Sequence, residues 1–161
     1  MGGPLYTDRG SGSNYICLHE RPQWSKYLSG HQYSSRIYGV EYEMYADRNV
    51  FSLANNDGQL LANHPAPCAV CYLPTRSTSL MIPARTECPA GWTMEYSGYI
   101  VADHPVHHRT TYVCWDGAPE TTTGAFNQDN ALVYPVEVMC GSLPCSKFAH
   151  GQDLTCVACS K

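Results

Sequence analysis

Apolar and β-branched residues alternate with polar ones in short runs along this chain, and Gly, Pro and Asn punctuate the gaps. A two-residue period is the mark of a half-buried strand, and almost no stretch repeats at the helical interval. The pattern predicts strands at residues 15–18, 37–45, 79–82, 93–101, 111–115 and 131–139. Ala54-Asn55-Asn56-Asp57-Gly58-Gln59, set between apolar runs, reads as the turn at a hairpin tip. It lacks the spaced acids and final Glu of an EF-hand loop. Ahead of the last of these strands, residues 117–130 are polar, Thr-rich and without period, the kind of connection in which functional loops sit. The expected fold is all-β with very little helix.

Several runs occur twice. Asn14-Tyr15-Ile16-Cys17 precedes Pro22 as Thr111-Tyr112-Val113-Cys114 precedes Pro119, and Arg36-Ile37-Tyr38-Gly39-Val40-Glu41 is echoed by Leu132-Val133-Tyr134-Pro135-Val136-Glu137. Each copy ends on a Cys-x-x-Cys, Cys68-Ala69-Val70-Cys71 and Cys156-Val157-Ala158-Cys159. Order is kept while loop lengths drift. The expectation is one domain, residues 1–161, made of two β-rich halves of about 1–74 and 75–161 packed around a shared core.

Only 15% of residues are charged, the net charge is −4, and Lys and Arg form no run. That composition disfavours nucleic acid or an anionic membrane as partner. No apolar stretch approaches the roughly 20 residues that span a bilayer, so no membrane insertion is expected. Nine cysteines suit an oxidising, extracellular compartment. Two Cys-x-x-Cys pairs could instead hold zinc, but Cys88, Cys114, Cys140 and Cys145 lie outside any zinc spacing and also need a fate, so disulfides are preferred. Four disulfides leave one thiol over, free or bridging two chains. The position corresponding to Cys88 in the first copy would fall before Met1, and a truncated copy would account for the odd count. Met1-Gly2-Gly3-Pro4 reads as a mature start without a visible signal peptide, so secretion is inferred from the cysteines. There is no Asn-x-Ser/Thr sequon, and N-glycans are not expected.

Cys68-Ala69-Val70-Cys71, Leu80-Met81-Ile82-Pro83, Cys88-Pro89-Ala90-Gly91-Trp92 and Tyr96-Ser97-Gly98-Tyr99 form a long ordered string. Tyr112-Val113-Cys114, Ala131-Leu132-Val133-Tyr134-Pro135-Val136-Glu137, Cys140-Gly141-Ser142-Leu143-Pro144-Cys145 and the ending Leu154-Thr155-Cys156-Val157-Ala158-Cys159-Ser160-Lys161 continue it. The whole resembles the C-terminal non-collagenous domain of invertebrate short-chain collagens of the spongin type, and more distantly that of type IV collagen, itself an internal duplication. One departure matters: no Gly-X-Y tract is present, so there is no triple helix for such a domain to register. The chain is similar to calcium-dependent galactose-binding lectins of sea anemones that carry this domain alone. That resemblance implies calcium as cofactor, galactose-terminated glycans as partners, and a homodimer, with disulfide linkage as one form of it. The alternative implied by the collagens is a structural module of the extracellular matrix that associates with copies of itself.

Catalysis has little to rest on, since no Gly-x-Ser-x-Gly elbow occurs and the cysteines are committed in pairs. No enzyme activity is expected. His104, His107 and His108 could hold zinc or copper through imidazole nitrogens, or simply line a solvated connection between strands. Sugar binding asks for an aromatic face against the ring and polar groups for its hydroxyls. Calcium serves the second need by coordinating a vicinal diol where carboxylate and amide oxygens leave positions open. Asn127-Gln128-Asp129-Asn130 offers four oxygen-bearing side chains in a row, preceded by Glu120 and Asp116. The expected calcium ligands are Gln128, Asp129 and Asn130 with help from Glu120, and Asn127 and Asp116 would hydrogen-bond the sugar. An Asx-rich turn entering a strand is the competing reading. Trp115 is the stacking candidate, though a core Trp beside a disulfide reads equally well. Glu137, matched by Glu41 in the other copy, reads as structural.

Overall fold

A computed structural model describes residues 1–44, 49–56, 60–125 and 127–161. Among them the regular structure is all strand apart from one 3-10 turn at Ala54–Asn56. The strands are β1 (Gly2–Gly3), β2 (Tyr38–Tyr42), β3 (Ser79–Pro83), β4 (Thr93–Ala102), β5 (Val113–Asp116), β6 (Ala131–Pro135) and β7 (Thr155–Ser160). They form one sheet in the order β1-β2-β6-β4-β7-β3, with β5 paired to β4 off this path, and the sheet curls into a half-barrel.

β4 organises the sheet because it pairs antiparallel with three strands: β7 along Thr93–Tyr99, β5 along Gly98–Val101, and β6 at its end through Val101 and Ala102. At Gly98 β4 approaches β5 so closely that a Cβ there would overlap the Trp115 carbonyl. Only glycine fits such a position. β2 joins by parallel pairing, Val40 opposite Ala131 and Tyr42 opposite Val133. Such a pairing demands a long crossover, and the chain from β2 to β6 supplies it.

The core sits where Val40, Tyr42 and Met44 of the β2 segment meet Leu61, Phe51, Val101, Trp115 and Val133. Full burial of an aliphatic side chain of this size stabilises by about 1.5–3 kcal/mol. Tyr42 and Trp115 meet edge-to-face at 5.8 Å, and the indole Nε1 donates to the Tyr42 hydroxyl at 3.3 Å. Alternation along β2 sends Glu41 and Glu43 to the opposite side.

Four disulfides join Cys17 to Cys68, Cys88 to Cys159, Cys114 to Cys156 and Cys140 to Cys145, and Cys71 is free and exposed. This is the expected count. Three of them close loops of 42 to 71 residues, each contributing about 4 kcal/mol by the chain-entropy estimate. Cys17–Cys68 and Cys114–Cys156 join positions that correspond in the two copies of the sequence repeat. Among the described residues, 1–74 contribute β1 and β2 and 75–161 the other five strands, so the strand assignment alone does not show the expected duplication.

The predicted runs at 79–82 and 93–101 correspond to β3 and β4. The run at 111–115 corresponds to β5, which starts two residues later. Residues 15–18 make only an isolated bridge, Ile16 to Gly2, in place of a strand. β6 covers only Ala131–Pro135 of the run at 131–139, and beyond it the pairing continues as separate bonds, Val136 N–H to the Ile100 carbonyl and an isolated bridge of Glu137 with Asp153. β2 occupies Tyr38–Tyr42 of the run 37–45, and its last residue, Tyr45, lies outside the described residues. So do Asp57, Gly58 and Gln59 of the expected hairpin tip. β7 was not anticipated, because its Cys-x-x-Cys reads as cysteine chemistry before it reads as a strand.

Candidate functional site

Residues 127–130 form a tight turn at the entry to β6. Asn127 and Asp129 both adopt left-handed backbone, φ 55° and 50°, a conformation Asn and Asp tolerate better than other side chains do. The turn is held from below by Glu41, which is 3% exposed. The Gln128 N–H donates to its carboxylate at 3.0 and 3.2 Å, and the Asp129 N–H at 3.2 Å. Successive amides converging on one anion make a nest. Hydrogen bonds to a charged group contribute about 1.5–3 kcal/mol each, which offsets the cost of burying the carboxylate.

The same geometry turns the side chains of Asn127, Gln128 and Asp129 outward, where they are exposed, while Asn130 is half-buried. Two further bonds fix the turn. Asn127 N–H donates to the Asn63 carbonyl at 2.9 Å, and the Asn130 carbonyl accepts from Tyr6 N–H at 3.1 Å.

Glu43 stands on the same side of β2. Its Oε2 is inaccessible and has no hydrogen-bond partner. Burial first, then the Asp129 and Glu41 carboxylates, push the Glu43 carboxyl above its ordinary value, and His107 acts in the opposite sense. Three acids thus share one neighbourhood with an unpartnered oxygen, a field that favours a cation. Among the described residues, however, no three His, Cys, Asp or Glu side chains converge as they would around a bound metal.

The other expected residues lie across β2. The Tyr42 hydroxyl, on the core side, donates to the Glu120 carbonyl at 2.8 Å. Burial pushes that hydroxyl up to about 12, with Glu120 and Asp116 adding to the shift and the Trp115 hydrogen bond opposing it. Asp116 accepts from Ala118 N–H at 2.9 Å and caps its own turn. Trp115 is 7% exposed and offers no face to a sugar. The predicted set therefore divides: Asn127, Gln128, Asp129 and Asn130 gather around Glu41, whereas Trp115, Asp116 and Glu120 gather around Tyr42. Glu120 and Trp115 fall away from the candidate site for that reason.

The histidine loop is more ordered than a solvated connection requires. The Asp103 side chain is 2% exposed and accepts from His107 Nδ1 at 2.8 Å and from His104 N–H at 2.7 Å. The rings of His104, His107, Tyr134 and Tyr6 pack together, with centroids 4.6 to 6.0 Å apart.

Sequence reasoning missed Glu43. Its only signal is the spacing Glu41-Tyr42-Glu43 within a strand, which places both acids on one face, and the link to residue 129 is made by the fold. No protein-family model matches the chain, and no solved structure matches it.

Proposed function

We propose that the chain is a secreted, calcium-dependent lectin for terminal β-galactose, without catalytic activity. The observation that carries this reading is the turn at 127–130. Its amides are tied inward to buried Glu41, and the side chains of Asn127, Gln128 and Asp129 are exposed on a turn whose Asp129 carboxylate acts on Glu43, the Oε2 of which has no hydrogen-bond partner. Carboxylate and amide oxygens are the donors that a hard cation takes. Gln128, Asp129 and Asn130 would hold the ion, with Glu43 as the second carboxylate in place of Glu120. Bound there, calcium would supply two coordination positions for the axial 4-hydroxyl and equatorial 3-hydroxyl of galactose. Asn127 is placed to choose among epimers, because a hydroxyl pointing the wrong way leaves a partner unpaired at about 1–3 kcal/mol. Disulfides and the resemblance to lectins built from this domain support an extracellular setting, and no described helix is long and apolar enough to cross a membrane.

The test is calorimetric titration of lactose with and without EDTA, on the parent chain and on Asp129→Asn. Asn keeps the left-handed turn while removing the charge, so the fold stays and the affinity falls at least tenfold. Undiminished binding after chelation would refute the calcium mechanism, and calcium-dependent binding that survives the substitution would move the site elsewhere.

The self-assembly reading has its own observation. Trp24, Tyr27, Leu28, Val70 and Tyr72 are each more than 70% exposed, and large apolar side chains left at a surface are available to associate with a partner. A dimer and a sugar site are compatible, and the first would give the second avidity.

A further inference from the structure

We infer that a cavity of about 500 Å³ between residues 4–13 and 105–109 is an oxyanion subsite beside the turn at 127–130, suited to the sulfate or carboxylate of an acidic glycan. Arg9, Arg109, His107 and His108 line it together with Asp8. The Asp8 carboxylate is already paired with Arg36 at 2.9 Å. Neither Arg9 nor Arg109 has an acidic partner among the described residues. In a chain with only 10 Lys and Arg and a net charge of −4, two unpaired guanidinium groups and two imidazoles thus converge on one concavity. The guanidinium fork matches the geometry of an oxyanion and binds it through paired, charge-assisted hydrogen bonds.

The position of the cavity says what carries the anion. Tyr6 separates it from the turn: its N–H donates to the Asn130 carbonyl, and its own carbonyl accepts from His108 N–H at 3.2 Å. Two backbone pairings in a row place the loops at 130 and 108 about 10 Å apart, the reach of a disaccharide. Asp129 lies on one side of Tyr6 with Glu41 bound to its turn. The guanidinium groups of Arg9 and Arg109 line the cavity on the other, where the two acids, Asp8 and Asp103, are held by Arg36 and His107. A terminal sugar held at the turn would therefore present the substituents of the next residue to Arg9 and Arg109. This inference extends the lectin reading and rests on it for the neighbouring sugar, but not for the anion itself.

Three ligands decide it, each titrated with calcium present: lactose, lactobionate, which places a carboxylate next to terminal galactose, and N-acetyllactosamine 6-sulfate, which places a sulfate there. Against the parent chain at least one acidic ligand is expected to bind about tenfold tighter than lactose, an advantage that shrinks as salt rises. The doubly substituted Arg9→Gln, Arg109→Gln chain, altered only at exposed side chains, is expected to lose that advantage and keep its lactose affinity. A gain for one acidic ligand alone identifies the source of the anion. Equal binding of all three ligands, or a parallel loss of all three in the double variant, overturns the subsite. Inorganic sulfate added in EDTA separates the two readings, because it needs neither calcium nor galactose. Chemical-shift changes at His107 and His108 that vanish in the double variant support the subsite even where lactose fails to bind, and their absence in the parent overturns it.

Discussion

At the scale of single residues, Glu41 and Glu43 show how position on one strand face assigns opposite tasks to the same side chain. Glu41 receives two amides and holds a turn; Glu43 receives none on Oε2 and carries the strain of its neighbours. Burial and the adjacent carboxylates raise the folded-state value of Glu43 above the unfolded one. The native state therefore binds this proton more tightly than the unfolded state does. Its contribution to stability is complete below the unfolded value and is lost as pH rises through the folded one. Glu43→Gln is accordingly expected to stabilise the calcium-free protein at pH 7 and to have no effect at pH 3, as read from urea unfolding in EDTA. In the same variant calcium should bind more weakly, so the two measurements move in opposite directions. A loss of stability at pH 7 would contradict the electrostatic account. The polar string from Asn127 to Asn130 was legible in the sequence because oxygen-bearing side chains advertise themselves. Trp115 was misleading for the same reason: residue type suggested a stacking face, but burial in the core decided the matter.

Among the elements, strands were legible where a run of alternating residues ends on a turn or a proline, as for β3 and β4. Their partners were not. β2 lies beside β6 through pairings such as Val40 with Ala131, and β1 is two glycines with no pattern to read. The convergence of Arg9 with Arg109 is invisible for the same reason, since contacts between distant segments are set by the packing of the whole sheet. β4 carries the clearest local constraint. A methyl group at Gly98 would meet the Trp115 carbonyl and the Gly117 nitrogen, both backbone atoms that cannot swing aside. Gly98→Ala should cost about 1–3 kcal/mol or more. For a chain of this length that lowers the melting temperature by several degrees, on the order of 2–4 °C per kcal/mol. Gly39→Ala, also within a strand but with open space where its Cβ would stand, is the control expected to change little. If the two variants melt together, the close approach of β4 and β5 is not what Gly98 serves.

For the whole molecule the odd thiol is the informative feature. Corresponding cysteines of the repeat behave alike in one bond, Cys17–Cys68 against Cys114–Cys156, and differ in the other, since Cys159 is bonded to Cys88 whereas Cys71 is free. Cys71 is exposed, and its neighbours Val70 and Tyr72 are exposed with it. An accessible thiol in an oxidising compartment pairs with what it meets, and a second copy of the chain brings the same apolar neighbours to the contact. The expected product is a homodimer linked through Cys71, running on a non-reducing gel at twice the 17.8 kDa of the chain. Two sites presented together gain avidity without any new contact to sugar, by a factor of about 10²–10⁴ where both can engage. Cys71→Ser should therefore leave the calorimetric affinity for lactose unchanged and sharply reduce agglutination of galactose-bearing cells. A parent chain that runs only at monomer mass would remove the covalent dimer. A Cys71→Ser variant that still agglutinates at the parent concentration would place the second site on a non-covalent partner held by apolar contact alone.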